Sequence, residues 1–88
     1  MIKILKFESD SCSQCKALSA TLERITKEYK TDMKSIDIEE DNNQDLVRKY
    51  NIRSIPTLIF LSEDQEYNRL VGNQSYATIN KIINHDTT

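Results

Sequence analysis

The sequence predicts an α/β fold in the order β-α-β-α-β-β-α, with a four-stranded mixed sheet flanked by three helices. An apolar run at residues 2–8 is followed by a long segment whose apolar residues recur at helical spacing. A continuously apolar run at 57–61 is typical of a central strand that is covered on both faces. The alternating start implies parallel pairing with right-handed crossovers, and the two closing strands imply an antiparallel hairpin.

Length and composition limit the class of protein. A chain of 88 residues is expected to form a single domain over residues 1–88. A hydrophobic content of 38%, a charged content of 30% and a net charge of −2 are typical of a globular protein without a nucleic-acid partner. Lys3 and Lys6 interrupt the first apolar run, and no run approaches the ~18 apolar residues that span a bilayer. We therefore expect a cytoplasmic protein with no membrane partner.

The first helix gives the two cysteines different environments. A strand at 2–8 and a turn at 9–11 lead into a helix from Ser13 to Tyr29. Extending the apolar face of this helix back by three residues reaches Cys15, whereas Cys12 lies off the face at the N-terminal end. The apolar face itself consists of Leu18, Leu22, Ile25 and Tyr29.

The second half of the chain continues the alternation of predicted strands and helices. A weak alternation at 33–38 predicts a strand, and Asn42 or Asn43 is expected to cap a short helix that ends at Tyr50. The remaining predicted elements are a strand at 57–61, a turn at 62–66, a strand at 67–71 that Gly72 ends, and a last helix capped by Ser75.

The two cysteines form a C-x-x-C pair at a strand-to-helix turn, which in a cytoplasmic protein indicates a redox dithiol. The thiolate is the reactive form, and a helix N-terminus lowers the pKa of a cysteine placed there. The second thiol, one helical turn away, can attack a mixed disulfide and release the partner. Such chemistry needs one exposed and one shielded thiol, and the helical phase provides that arrangement.

The cysteine pair has three other interpretations. A structural staple would be unusual in a reducing compartment and would close a loop too short to stabilise much. A zinc or iron–sulfur site needs four ligands, and the chain offers two cysteines and His85, so a metal would require a second chain. Inert packing is the last interpretation. We expect no metal and no bound cofactor.

Three stretches carry a resemblance to a known family. They are the aromatic strand that runs into Cys12-Ser-Gln-Cys15-Lys16, the stretch K-Y-N-I-R-S-I-P-T at 49–57, and Val71-Gly72 after it. In all three the chain resembles the thioredoxin superfamily, and Val71-Gly72 lies at the family's distance from the proline. The resemblance covers residues 2–84 and lacks the extra N-terminal strand and helix of full-length thioredoxins. It therefore implies a minimal thioredoxin fold of glutaredoxin size. Glutaredoxins usually carry a double glycine, and the single glycine here favours thioredoxin.

The resemblance also implies roles for individual residues. Cys12 would attack a substrate disulfide and Cys15 would resolve the mixed disulfide. A cis Ile55–Pro56 bond would place the Ile55 backbone against the dithiol. The expected substrate-docking residues are Ser11, Ile55, Pro56, Val71 and Gly72. The implied activity is reduction of protein disulfides by a monomer that a thioredoxin-reductase-type flavoenzyme or glutathione recharges.

The sequence departs from the family at the dithiol. Ser11 stands where thioredoxins have tryptophan, and Ser13-Gln14 replaces Gly-Pro. Gln14 is similar to the glutamine of small redoxins that feed electrons to class Ib ribonucleotide reductase, but their aromatic-Ser-Gly-aromatic stretch is absent. A dedicated donor to ribonucleotide reductase and a non-catalytic binding module therefore remain alternative functions, together with a metal-bridged dimer.

Lys6 and Lys16 are the candidate modulators of the thiol pKa values. Lys6 stands six residues before Cys12, where thioredoxins keep a buried acid, and strand alternation turns it inward. Three roles are open for Lys6. It could extend to solvent and do little, extend to solvent as a charged group that favours thiolates, or act as a neutral amine that accepts the Cys15 proton.

Overall fold

Four strands form one mixed sheet in the part of the chain that the computed structural model describes, which is the backbone of residues 2–87 and the side chains of residues 2–84. The strands are β1 (Ile2–Glu8), β2 (Asp32–Asp37), β3 (Thr57–Ser62) and β4 (Gln65–Val71), in the spatial order β2-β1-β3-β4. β1 is parallel to β2 and antiparallel to β3, and β3 is antiparallel to β4. The helices are α1 (Ser13–Tyr29), α2 (Gln44–Lys49) and α3 (Tyr76–Thr87). The predicted fold class is confirmed.

Two local predictions were inaccurate. The turn between β3 and β4 consists only of Glu63 and Asp64, which have φ angles of 51° and 68°. Two successive positive φ values are the signature of the tight hairpin turn of type I′, so β4 starts earlier than predicted. Before α2 comes a 3₁₀ turn, Asp41–Asn43. Asn43, one of the two predicted candidates, is the N-cap residue of α2, but its side chain makes no capping bond and its amide donates to the Asp37 carbonyl at 2.9 Å. The predicted cap at Ser75 is confirmed, because its hydroxyl accepts from the Thr78 N–H at 3.2 Å.

Strand alternation divides the core between the two faces of the sheet. Ile2 and Ile4 of β1 face α1 and α3, whereas Leu5 and Phe7 face α2. The side shared with α1 and α3 also contains Leu18, Leu22, Ile25, Leu58, Phe60, Ile79 and Ile83, and the side shared with α2 contains Ile36, Ile59 and Leu61. The helical face predicted for α1 is therefore the buried face.

A polar cluster joins α1 to the start of α3. The Tyr76 hydroxyl donates to the Glu28 carboxylate, and Arg24 Nε lies 3.0 Å from the other carboxylate oxygen. The Arg24 guanidinium also stacks 4.0 Å above the Tyr76 ring. The hydrogen bond from Tyr76 and, to a smaller extent, the hydrogen bond from Arg24 lower the pKa of Glu28 below its ordinary value. The same bond to Glu28, with a smaller contribution from burial, raises the pKa of Tyr76 to about 12.

Removing the Tyr76 hydroxyl should make stability less dependent on pH. We expect Tyr76→Phe to unfold at a slightly lower temperature than the wild type near pH 7, because the bond to the Glu28 carboxylate is lost. A depressed carboxyl pKa contributes stability that is present above the unfolded-state pKa and is lost as the pH falls through the folded-state pKa. The difference between the two proteins should therefore shrink in acid. The raised tyrosine pKa makes it shrink again as the pH rises from about 10 through about 12.

Melting curves from about pH 3 to pH 8 measure the acid side of this effect. The matched control is Tyr50→Phe, which loses a hydroxyl on the opposite face of the sheet. A difference between Tyr76→Phe and the wild type that stays constant with pH would show that the ionised Glu28 does not contribute.

Candidate active site at one edge of the sheet

The candidate site lies at the edge where β1 ends, β3 begins and β4 ends. Thr57, the first residue of β3, pairs with Phe7 on one side and with Val71 on the other. The turn after β1 is therefore brought to the same edge as the residues just before Thr57 and just after Val71. Gly72 N–H donates to the Pro56 carbonyl at 2.8 Å, which ties the segment after β4 to the segment before β3.

The two cysteines occupy the start of α1 and are joined as a disulfide, with their Cα atoms 5.3 Å apart. Cys12 is the N-cap residue of α1, with an extended backbone, and its sulfur accepts from the Cys15 N–H at 3.1 Å. Cys12 N–H in turn donates to the Ser9 carbonyl at 3.2 Å, which fixes the approach of the chain to the helix. Cys12 is partly exposed and Cys15 is 1% exposed. The different environments predicted for the two thiols are confirmed.

The Cys12 sulfur lies at the N-terminal end of α1, where backbone donors converge. A helix N-cap gathers N–H groups that have no intrahelical partner, and the positive end of the helix dipole adds to their effect. The Cys15 N–H already lies within hydrogen-bond distance of the Cys12 sulfur. The pair can therefore support a nucleophilic thiolate at Cys12 beside a shielded thiol at Cys15.

The predicted docking residues surround this edge. The Ile55–Pro56 peptide bond is cis, Pro56 is buried and Ile55 is partly buried. Val71 is 53% exposed, and among the described residues it is the large apolar side chain that is exposed to solvent. Gly72 has a φ of 88°, a value that glycine adopts without a steric penalty. Ser11 is exposed, and its hydroxyl lies 3.3 Å from that of Ser9.

Lys6 is enclosed beneath the first turns of α1. It is 1% exposed, and its Nζ lies 2.7 Å from the Glu8 carboxylate and donates to Ser19 Oγ at 2.6 Å. Ser19 Oγ donates in turn to the Cys15 carbonyl at 3.1 Å. The Lys6 side chain points inward as predicted, but the expectation that its ammonium extends to solvent is wrong. The other candidate modulator, Lys16, is exposed on α1.

Sequence reasoning missed Glu8 and Ser19. The alternation of a strand places residues two apart on one face, so the pairing of Glu8 with Lys6 could have been found from the sequence. Ser19 could not, because its contact with Lys6 depends on how α1 lies across the sheet.

Neither a metal cluster nor a membrane span is found among the residues that the structure describes. No group of three or more His, Cys, Asp or Glu side chains there could hold a metal ion. The side chain of His85, the third candidate ligand, lies outside the described residues. None of the helices in residues 2–87 is long and apolar enough to cross a membrane.

Comparison with known proteins identifies similar chains. The Thioredoxin family model matches residues 2–85. The chain is 27% identical over 81 residues to a thioredoxin of Porphyra purpurea, covering 92% of this chain and 76% of the relative. It is 28% identical over 83 residues to a thioredoxin of Bacillus subtilis (strain 168), covering 94% and 80%. The solved structure of a mutant thioredoxin from Halobacterium salinarum NRC-1 superposes with a TM-score of 0.87 at 25% identity, covering 96% of this chain and 73% of the other.

Proposed function

The chain belongs to the thioredoxin family, which makes it a protein-disulfide oxidoreductase, and on that premise we propose that it reduces protein disulfides through the dithiol Cys12-Ser13-Gln14-Cys15. The observation that carries this proposal is the asymmetry of the pair. Cys12 caps α1 with the Cys15 N–H on its sulfur, while Cys15 is enclosed one helical turn further on.

The proposed reaction has two exchange steps. In the first, the Cys12 thiolate attacks one sulfur of the substrate disulfide, forms a mixed disulfide and releases the other substrate sulfur as a thiolate. In the second, Cys15 loses its proton and attacks the Cys12 sulfur, which forms the Cys12–Cys15 disulfide and releases the second substrate thiolate. Two electrons and two protons pass in total from the dithiol to the substrate.

Recharging requires a reductant that returns two electrons to the Cys12–Cys15 disulfide. We assign this role to a thioredoxin-reductase-type flavoenzyme or to glutathione. A protein that cycles between dithiol and disulfide in this way fits the cytoplasm, where thiol pools remain reduced. The acting unit in this proposal is one monomeric domain over residues 1–88, with no bound cofactor.

Substrates are proposed to dock on the surface formed by Ser11, Ile55, Pro56, Val71 and Gly72. The exposed Val71 side chain offers an apolar contact, and Gly72 has no side chain that would cover the backbone beside it. An extended peptide can bind such a surface through its main chain, which favours substrates of varied sequence.

Reduction of insulin by dithiothreitol tests the proposed function. The wild type should accelerate the reaction, and Cys12→Ser should lower the rate to that of dithiothreitol alone because no attacking thiolate remains. Ala17→Ser is the matched control, since it changes an exposed side chain of α1 and leaves both thiols in place. A Cys12→Ser variant that still accelerates insulin reduction would contradict the proposal.

A further inference from the structure

A buried ion pair underlies the first turns of α1 and has no part in the exchange steps described so far. The Lys6 ammonium is enclosed and makes two polar contacts, one with the Glu8 carboxylate and one with the Ser19 hydroxyl. The Glu8 side chain is 26% exposed, so one member of the pair is partly hydrated and the other is not. Burying an ammonium is unfavourable unless it is paired and hydrogen-bonded, and this pairing meets that requirement.

The pair reaches Cys15 through one side chain. Ser19 stands one helical turn after Cys15, and its hydroxyl donates to the Cys15 carbonyl at 3.1 Å. Side chains four residues apart on a helix are neighbours, with Cβ atoms about 5–6 Å apart. Because Lys6 Nζ lies 2.6 Å from Ser19 Oγ, two hydrogen bonds link the Lys6 charge to the backbone of Cys15. Both Lys6 and Cys15 are 1% exposed, so solvent screens their interaction weakly.

We propose that the Lys6–Glu8 pair sets how readily Cys15 ionises in the reduced protein, with the Lys6 ammonium favouring the thiolate and the Glu8 carboxylate opposing it. This deepens the proposed function and rests on it, because the Cys15 thiolate is the group that resolves the mixed disulfide. Lys6 and Glu8 are thus positioning residues that act through their charges and touch no substrate.

Lys6 has no charged neighbour on the adjacent strands, whereas Glu8 has one. In the strand register Lys6 lies between Ser35 of β2 and Leu58 of β3, neither of which is charged. Glu8 lies beside Asp37, whose carboxylate accepts from the Glu39 N–H at 2.9 Å. The buried α3 residues in the hydrophobic cluster on this face are Ile79 and Ile83. Lys16 of α1 is exposed, and water screens its charge.

The two members of the pair should have opposite effects when they are neutralised. Lys6→Met removes the cation and leaves the Glu8 carboxylate, which disfavours a nearby thiolate. Glu8→Gln removes the anion and leaves an unopposed ammonium, which favours the thiolate. A purely structural role would not have this signature, because both substitutions break the same ion pair and would disturb α1 in the same sense.

The test is a titration of Cys15 alone. In a Cys12→Ser background the carbon-13 shift of the Cys15 Cβ, followed by NMR against pH, reports one thiol without coupling to a second. Lys6→Met should raise the titration midpoint by about one pH unit, and Glu8→Gln should lower it by a similar amount. The controls are Lys3→Met, on the opposite face of β1, and Glu63→Gln, in the β3–β4 turn, and neither should move the midpoint.

Shifts of the same sign in Lys6→Met and Glu8→Gln, or no shift in either, would overturn the proposal. If Lys6→Met does not fold, Glu8→Gln decides alone, since a lowered midpoint supports the proposal and an unchanged or raised one refutes it. The titration needs no substrate. If the protein does not reduce insulin but the two variants shift the Cys15 midpoint in opposite directions, the proposed function is refuted and the charge effect stands. If the protein reduces insulin but the midpoint does not shift, the charge effect is refuted and the proposed function stands.

Discussion

Cys15→Ser is expected to accumulate covalent complexes with its substrate proteins. The variant keeps the Cys12 thiol at the N-cap of α1, so the first exchange step still proceeds. It lacks the thiol that attacks the mixed disulfide, so the complex persists until an external thiol cleaves it. Catalytic turnover should fall to the background rate, because each molecule reacts once and stops.

The complexes are measured by incubating the reduced variant with a lysate and comparing electrophoresis with and without a reductant. Cys12→Ser is the matched control, since its remaining thiol is 1% exposed in the parent and lies off the helix N-cap. We expect reductant-sensitive bands with Cys15→Ser and none with Cys12→Ser. Bands of equal strength from both variants would assign no distinct role to Cys12.

Phe7→Ala is expected to cost about 3–5 kcal/mol of unfolding free energy, the range measured when a buried phenylalanine is truncated. Phe7 has no exposed surface, and its ring centroid lies 6.0 Å from that of Tyr50 on the α2 side of the sheet. It also pairs with Ile36 of β2 and Thr57 of β3, so the cavity would open where three strands meet α2. Because small domains have only about 5–15 kcal/mol of stability in total, this loss is a large fraction of the stability of the protein.

Urea unfolding of the oxidised protein measures this loss, with Phe7→Leu as the control that keeps an apolar side chain at the position. Phe7→Leu should lose markedly less than Phe7→Ala because it leaves a smaller cavity. A loss below about 1 kcal/mol in Phe7→Ala would mean that the site collapses around the missing ring, against the packing described here.

The parts of the fold that follow from periodicity could be predicted from the sequence. The helical spacing from Leu18 to Tyr29 located α1, and continuing it backwards separated the environments of Cys12 and Cys15. The alternation of β1 placed Lys6 on the inner face, which its burial confirms. Each of these features depends on residues that are close in the chain, where spacing alone determines which side chains share a face.

The parts that depend on contacts between distant segments could not be predicted. The tight turn at Glu63 and Asp64 has no glycine or asparagine to mark its positive φ angles, so only the pairing of β3 with β4 reveals it. Asn42 or Asn43 was expected to cap α2, and Asn43 takes the N-cap position, but its amide donates to the Asp37 carbonyl six residues earlier and makes no capping bond. The environment of Lys6 depends on Ser19, thirteen residues away, and on the angle at which α1 crosses the sheet.

The position of β3 between β1 and β4 has a consequence for biosynthesis. Translation delivers β1, both cysteines and α1 to the ribosome exit well before it delivers β3 and β4. During that interval the nascent chain carries both thiols, but Pro56 and Gly72 cannot yet meet, because the bond between them requires β4 to pair with β3. On the proposed function, selective exchange therefore begins only when the last hairpin closes, and until then the thiols of each new molecule depend on a reducing environment for protection.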